Sequence, residues 1–212
     1  MPKGKHPWIA DIDVAALKFS KVYNNGSRKA VEVTLNDRKS IQFQVCEQVE
    51  RPVTAAFRLD TVETDNDGSR RGQAVILTDE RVIAKLEELD ERIIDVATEN
   101  SVDFFGAAKS REVVAEKYSR LVYQKRDDKL LKFKVKCPPA RVITEIYEQD
   151  AADPHKMHEN TISYLDLERS CCQMAPTLSI NGLYFGGTAR FGLIIQAEIL
   201  IVTPGRMPTT AT

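Results

Sequence analysis

DERVIAKLEELDERIIDVATENSVDFFGAAKSREVVAEKYSRLVY, residues 79–123, decides the fold, because the hydrophobic period changes on entering it and changes back after it. Val82, Ile83, Leu86, Leu89, Ile93 and Ile94 recur at three-and-four spacing, the stripe of a helix packed on one side. Lys85, Glu87, Glu88 and Glu91 fall outside the stripe. Thr78 or Asp79 caps the start, and acidic Asp79 and Glu80 suit its positive end. The spacing predicts one helix ending near Glu99–Asn100. It predicts a second from about Ser110, with Val113, Val114, Tyr118, Leu121 and Val122 on one side. SVDFFGAAK joins them, with Phe104 and Phe105 adjacent.

On both flanks the period is two. Downstream, KLLKFKVKC sets Leu131, Phe133, Val135 and Cys137 on one face and Lys132, Lys134 and Lys136 on the other. Pro138–Pro139 ends that strand, ARVITEIYEQ at 140–149 reads as another, and DAADPHKMHEN as a loop. Two long strands flank Gly186–Gly187 as a terminal hairpin. Upstream, NNGS at 24–27 and NDRK at 36–39 are turn signals. The segments around Val31–Leu35 and Ile41–Cys46 are expected to pair as a hairpin. A third strand is expected over 53–62. ETDNDGSRRG, 63–72, reads as a loop leading into QAVILT.

Strands, helices, then strands again is not the alternation of a doubly wound parallel sheet. The expected class is mainly β with inserted helices. Its form is an OB-like antiparallel barrel with the helical block between the third and fourth strands. Residues 1–16 form a loosely ordered arm anchored by Trp8. Residues 17–203 form one domain with the insertion at about 79–123, and 204–212 a disordered tail.

Composition narrows the functional classes. With 212 residues, 42% hydrophobic and 29% charged, the chain has enough apolar content for a core. No apolar run reaches the roughly 18–20 residues of a membrane span, and the N-terminus lacks the apolar stretch of a secretory signal. Cys46, Cys137, Cys171 and Cys172 show no zinc-ligand spacing and read as free thiols, implying an intracellular, reducing compartment. A net charge of −1 argues against a generally basic nucleic-acid coat. A local basic strip is still felt within a Debye length of about 8–10 Å.

Lys132, Lys134 and Lys136 form such a strip, about 6–7 Å apart along one face. That is near the charge spacing of an extended nucleic-acid backbone. Lys129 and Arg141 extend the strip in sequence, and Arg28, Lys29, Arg70 and Arg71 add charge in or near turns. The competing reading is a solvated or edge strand whose lysines prevent aggregation. Binding without sequence preference also needs aromatic platforms. Tyr23 and Tyr184 are the candidates, since a tyrosine tip tolerates water, whereas Phe43 and Phe191 read as core and Phe57 stays open. His155 and His158 with Asp153 and Glu159 are too weak a pattern for a metal. No P-loop, GxSxG or dinucleotide motif occurs. No catalytic residue, cofactor or metal is expected.

Five pieces carry a family resemblance: LKFSKVYNNGSRKAVEV (17–33), LEELDERIIDVATENSVDFFG (86–106), SREVVAEKYSRLVY (110–123), LLKFKVKCPPARVITEIYE (130–148) and LYFGGTARFGLIIQAEILIV (183–202). In order and local signature they resemble predicted single-stranded DNA-binding proteins of large nucleocytoplasmic DNA viruses. That family is itself similar to the OB-fold single-strand-binding protein of short-tailed coliphages. Two departures stand out. FQVCEQVERPVTAAF replaces the family's Gln-Thr-Pro and Pro-Phe-Gly pieces, and the tail PGRMPTTAT has no acid with which to recruit partners.

The resemblance implies a non-catalytic viral protein that binds single-stranded nucleic acid, DNA in the first place, in replication, recombination or repair. Expected partners are single-stranded DNA or RNA, with self-association allowed and no membrane or small-molecule substrate. The alternative is a structural or assembly subunit, of a virion or scaffold, with no nucleic-acid role.

Overall fold

The computed structural model describes residues 6–25, 28–36, 41–48, 52–56, 59–64, 70–137, 143–150, 152–153, 155–159, 162–169, 172–186 and 190–203. After two short 3-10 turns come β1 (Leu17–Phe19), β2 (Tyr23–Asn25), β3 (Arg28–Val31), β4 (Val33–Leu35), β5 (Ile41–Gln44), β6 (Val53–Thr54), β7 (Asp60–Thr64) and β8 (Arg70–Leu77). The helices α1 (Glu80–Glu99), α2 (Ser101–Phe105) and α3 (Arg111–Lys117) follow. Next are β9 (Tyr118–Ser119), β10 (Val122–Lys125), β11 (Asp128–Cys137), β12 (Glu145–Gln149), β13 (Met157–Glu159) and α4 (Tyr164–Arg169). The chain closes on β14 (Gln173–Phe185) and β15 (Phe191–Thr203). The protein is mainly β with inserted helices.

β14 and β15, the terminal hairpin, are the spine. β3, β5 and β6 dock in turn along the free edge of β14. β9, β11 and β12 succeed one another along the other edge of β15, all parallel to it. The sheet is therefore not wholly antiparallel as expected, and β14 and β15, of 13 residues each, outlast each shorter partner, so several strands share an edge. The same cause removes the expected hairpin of 31–35 with 41–46: β4 pairs β1 while β5 pairs β14. The expected strand over 53–62 is broken into β6 and β7, and residues 63–64 and 70–72, expected in a loop, belong to β7 and β8.

Among the described residues eight strand segments, not three, precede the helices, since the first half of the chain is cut into short pieces. The helical block instead links two neighbours. β8 and β11 pair antiparallel from Leu130↔Leu77 to Cys137↔Arg70. Asp79 caps α1, its Oδ1 accepting from the Arg81 amide at 2.8 Å. Val82, Leu86, Leu89, Ile93 and Ile94 are all buried as the stripe requires. The expected second helix is shorter than its pattern. It ends at Lys117; Tyr118 and Val122 enter strands, and Leu121 lies in the bend between them. Buried Asp90 of α1 explains the break: its carboxylate accepts from the Tyr118 hydroxyl at 2.8 Å and the Leu121 amide at 3.1 Å.

The core lies between the helices and the inner face of the sheet. Phe43, Leu178 and Ala197 form one fully buried cross-strand row. The described part of the entry segment is not loose. Ile9, Ile12 and Val14 are buried, and the Trp8 indole donates to the Val45 carbonyl at 3.1 Å. Apolar side chains at those positions gain more by joining the core than an arm in water would. The tail at 204–212 lies outside the described residues. No helix among the described residues is long and apolar enough to cross a membrane.

Candidate nucleic-acid interface

Strand alternation divides β11 as its sequence demands. Leu131, Phe133, Val135 and Cys137 are buried inward, and Lys132, Lys134 and Lys136 stand on the outer face. Lys132 is exposed, and Lys134 and Lys136 are half-buried.

Register carries that face across the sheet, because directly paired residues share a side. One row runs over six strands: Asp60, Gln73, Lys134, Gln196, Ser179 and Gln42. A second runs Tyr23, Ala30, Tyr184, Gly192 and Ser119. The two rows meet where the Lys134 ammonium lies 5.9 Å from the centre of the Tyr184 ring. Tyr184 lies over Gly192: a Cβ there would come within 3.0 Å of its ring. Tyr23 is 46% exposed at the far end of the row.

Within the first row the polar groups are tied to one another. The Ser179 hydroxyl bonds Glu198, and the Asn181 amide donates to Gln196 Oε1 at 3.5 Å. Ser179 is fully buried and Gln196 nearly so. The outer face is thus mixed, with lysines at one side and an amide–carboxylate cluster at its centre.

The other expected residues divide. Lys129 turns to the helix side, where its ammonium meets Glu87 of α1 at 2.6 Å, so it does not extend the strip. Lys29 is exposed but pairs with Asn24, on the opposite side of β3 from Ala30 and Tyr184. The register sets Arg28 against Asn25 and Arg71 against Lys136. Arg70 and Arg71 lie in a strand rather than a turn. Arg141 and Phe57 lie outside the described residues. Phe43 and Phe191 are wholly buried.

Sequence reasoning missed Asp90. Burial pushes its carboxyl up to about 7, against the opposing pull of the Tyr118 and Leu121 hydrogen bonds. Its spacing from Leu86 and Ile93 puts it on the buried stripe, which was the available signal. At the histidine loop, His158 Nε2 lies 2.7 Å from Asp150 Oδ2. That partner and two backbone amides lower the Asp150 carboxyl to about 2. Among the described residues no group of three or more His, Cys, Asp or Glu is arranged to hold a metal. Cys46, Cys137 and Cys172 are buried, and burial raises the Cys46 thiol to about 11.

No family model matches the chain, and no curated protein matches it. Solved structures do. The single-stranded DNA-binding protein of bacteriophage Enc34, in complex with single-stranded DNA, is 9% identical with a TM-score of 0.45, over 89% of this chain and 96% of that one. A C-terminal truncation of the Enc34 protein aligns at 8% identity and a TM-score of 0.46, over 91% and 98%. For gp2.5, a single-stranded DNA-binding protein encoded by bacteriophage T7, identity is 10% and the TM-score 0.50, over 82% of this chain and 90% of that one. At such identity the likeness to the T7 protein speaks for the fold alone, and in fold the chain is similar to a phage single-strand-binding protein.

Proposed function

We propose that the chain is a non-catalytic single-stranded DNA-binding protein, and that the strand runs along the outer face of β11, β15 and β14. The observation that carries this is the meeting of Lys134 and Tyr184 on one face, with Lys132 and Lys136 in line. Phosphates follow the lysines, and a base stacks on the Tyr184 ring, which lies over Gly192. Tyr23 offers a second ring one strand beyond β3. Arg28, Arg70, Arg71 and Arg141 would add positive charge for the same ligand.

The fold similarity to the T7 protein supports the same reading, and an OB-type closure of the sheet is part of the proposal. The wider assignment goes with it: a viral protein of the nucleocytoplasmic DNA virus kind, acting inside the cell in replication, recombination or repair. Fluorescence titration with labelled oligonucleotides across a salt series tests the proposal. Binding at low salt that weakens steeply as salt rises is expected. Absence of binding at low salt, or unchanged binding after Lys132, Lys134 and Lys136 become glutamate, overturns it.

A further inference from the structure

β11 and β12 succeed each other along β15, and the fork between them is held by Thr144. Its hydroxyl donates to the Ala197 carbonyl at 2.8 Å and accepts from the Lys136 amide at 3.0 Å. Beside the fork opens a crevice of about 480 Å³, within the range of small-ligand sites. Its walls are Ile143, Ile146, Ile162 and Tyr164, and Lys136 stands at its lip. Ile143 is 47% exposed, an apolar side chain left in water where the lysine strand ends. Two carboxylates also line it. Glu145 accepts from the Tyr147 hydroxyl at 2.8 Å, and Glu159 is the cross-strand partner of Tyr147.

We infer that this crevice receives one base of the strand lying on the lysine face, and that it favours bases with an exocyclic amino group, cytosine, adenine or guanine, over thymine. The inference rests on the single-strand reading above. Lys136 belongs both to the strip and to the crevice, so a backbone followed along the lysines arrives at its mouth. Isoleucine walls and a tyrosine ring suit the flat apolar faces of a base. The carboxylates are acceptors only, so they pair with amino groups and repel the carbonyl edge of thymine. They also make the crevice a poor seat for a phosphate, which stays with Lys136.

The test is titration of the full chain with labelled dC, dA and dT 12-mers at one fixed salt concentration. The wild type is expected to bind dC and dA about tenfold tighter than dT, the scale of one well-placed base contact. Ile143→Glu fills the mouth with charge and is expected to abolish that difference. Ile143→Val, which only shortens the wall, reduces it. Lys132→Glu weakens all three oligomers and keeps the difference. A wild type indifferent to base, or a preference untouched by both Ile143 variants, overturns this inference while single-strand binding stands. A wild type that binds none of the three overturns the proposed function, and this inference with it.

Discussion

The Tyr118 hydroxyl donates to Asp90 Oδ1 at 2.8 Å inside the core, joining α1 to the first residue of β9. Glu91 beside it and Arg120 beyond it pair at the surface, at 2.8 Å. The surface pair is exposed and contributes little, whereas the buried contact sets where α3 stops. Tyr118 in turn packs on Phe191, 5.2 Å between ring centres, beneath the strand that carries Gly192. The helical block is thereby fastened to the underside of the proposed binding face.

Burial of the Asp90 carboxyl makes stability depend on pH. The Asp90 carboxyl titrates near 7 when folded and near 3.8 when unfolded, so folding takes up a proton between those values. Its contribution is fully present below about pH 4 and is lost as pH rises through 7. The magnitude is on the order of 4 kcal/mol across that window. Asp90→Asn keeps an oxygen for Tyr118 and Leu121 and cannot ionise. Denaturant melts at pH 4.5 and 8 are expected to show the variant gaining on the wild type as pH rises. A stability difference that stays constant with pH sinks this account.

Lysines on opposite sides of β11 are expected to behave differently in binding. Lys132→Ala and Lys134→Ala each remove a phosphate partner, so each is expected to shallow the slope of log K against log salt by about 0.7. Lys129→Ala removes a partner of Glu87 and is expected to leave the slope unchanged. Equal slopes for all three variants would place the strand elsewhere.

Much of this was legible in the sequence because period reports burial. The alternation in 129–137 placed three lysines outside and Phe133 inside, and the stripe of α1 read correctly from Val82 to Ile94. Alternation also held the answer for Lys129, which shares parity with Leu131 and so faces the helices. Strand partners were not legible, because they depend on lengths far away in sequence: β5 is claimed by β14, and β4 by β1. The outer polar row was equally hidden. Gln42, Ser179 and Gln196 are unremarkable singly and become a polar row only through register. The polar tip marks Tyr184 in the sequence, yet the glycine beneath it cannot be read from spacing.

Gly182 shows how the outer face is held in shape. It sits at φ +114 in the irregular stretch of β14 between Ile180 and Leu183, and a Cβ would fall 2.5 Å from the Val31 carbonyl oxygen. Backbone is not easily displaced, and the conformation itself disfavours L side chains. Gly182→Ala is expected to destabilise by about 1–3 kcal/mol. A thermal melt checks it, and a variant as stable as the wild type would show that β3 yields freely.

Gly192 and Tyr184 permit a finer separation of stacking from stability. Tyr184 is half-buried, so Tyr184→Phe keeps the ring and is expected to bind as the wild type does. Tyr184→Ala removes the platform and is expected to lose about 1–3 kcal/mol of oligonucleotide affinity. Gly192→Ala acts without touching the tyrosine: its methyl would meet the ring at 3.0 Å and Ser119 Cβ at 3.1 Å, and the half-buried ring is the group free to move. The ring then lifts off the sheet and away from Lys134. Affinity should fall in Gly192→Ala while the melting temperature changes little, because no core contact is lost. If Gly192→Ala and Tyr184→Ala both bind at wild-type strength, bases do not stack here, and the lysines act on phosphates alone.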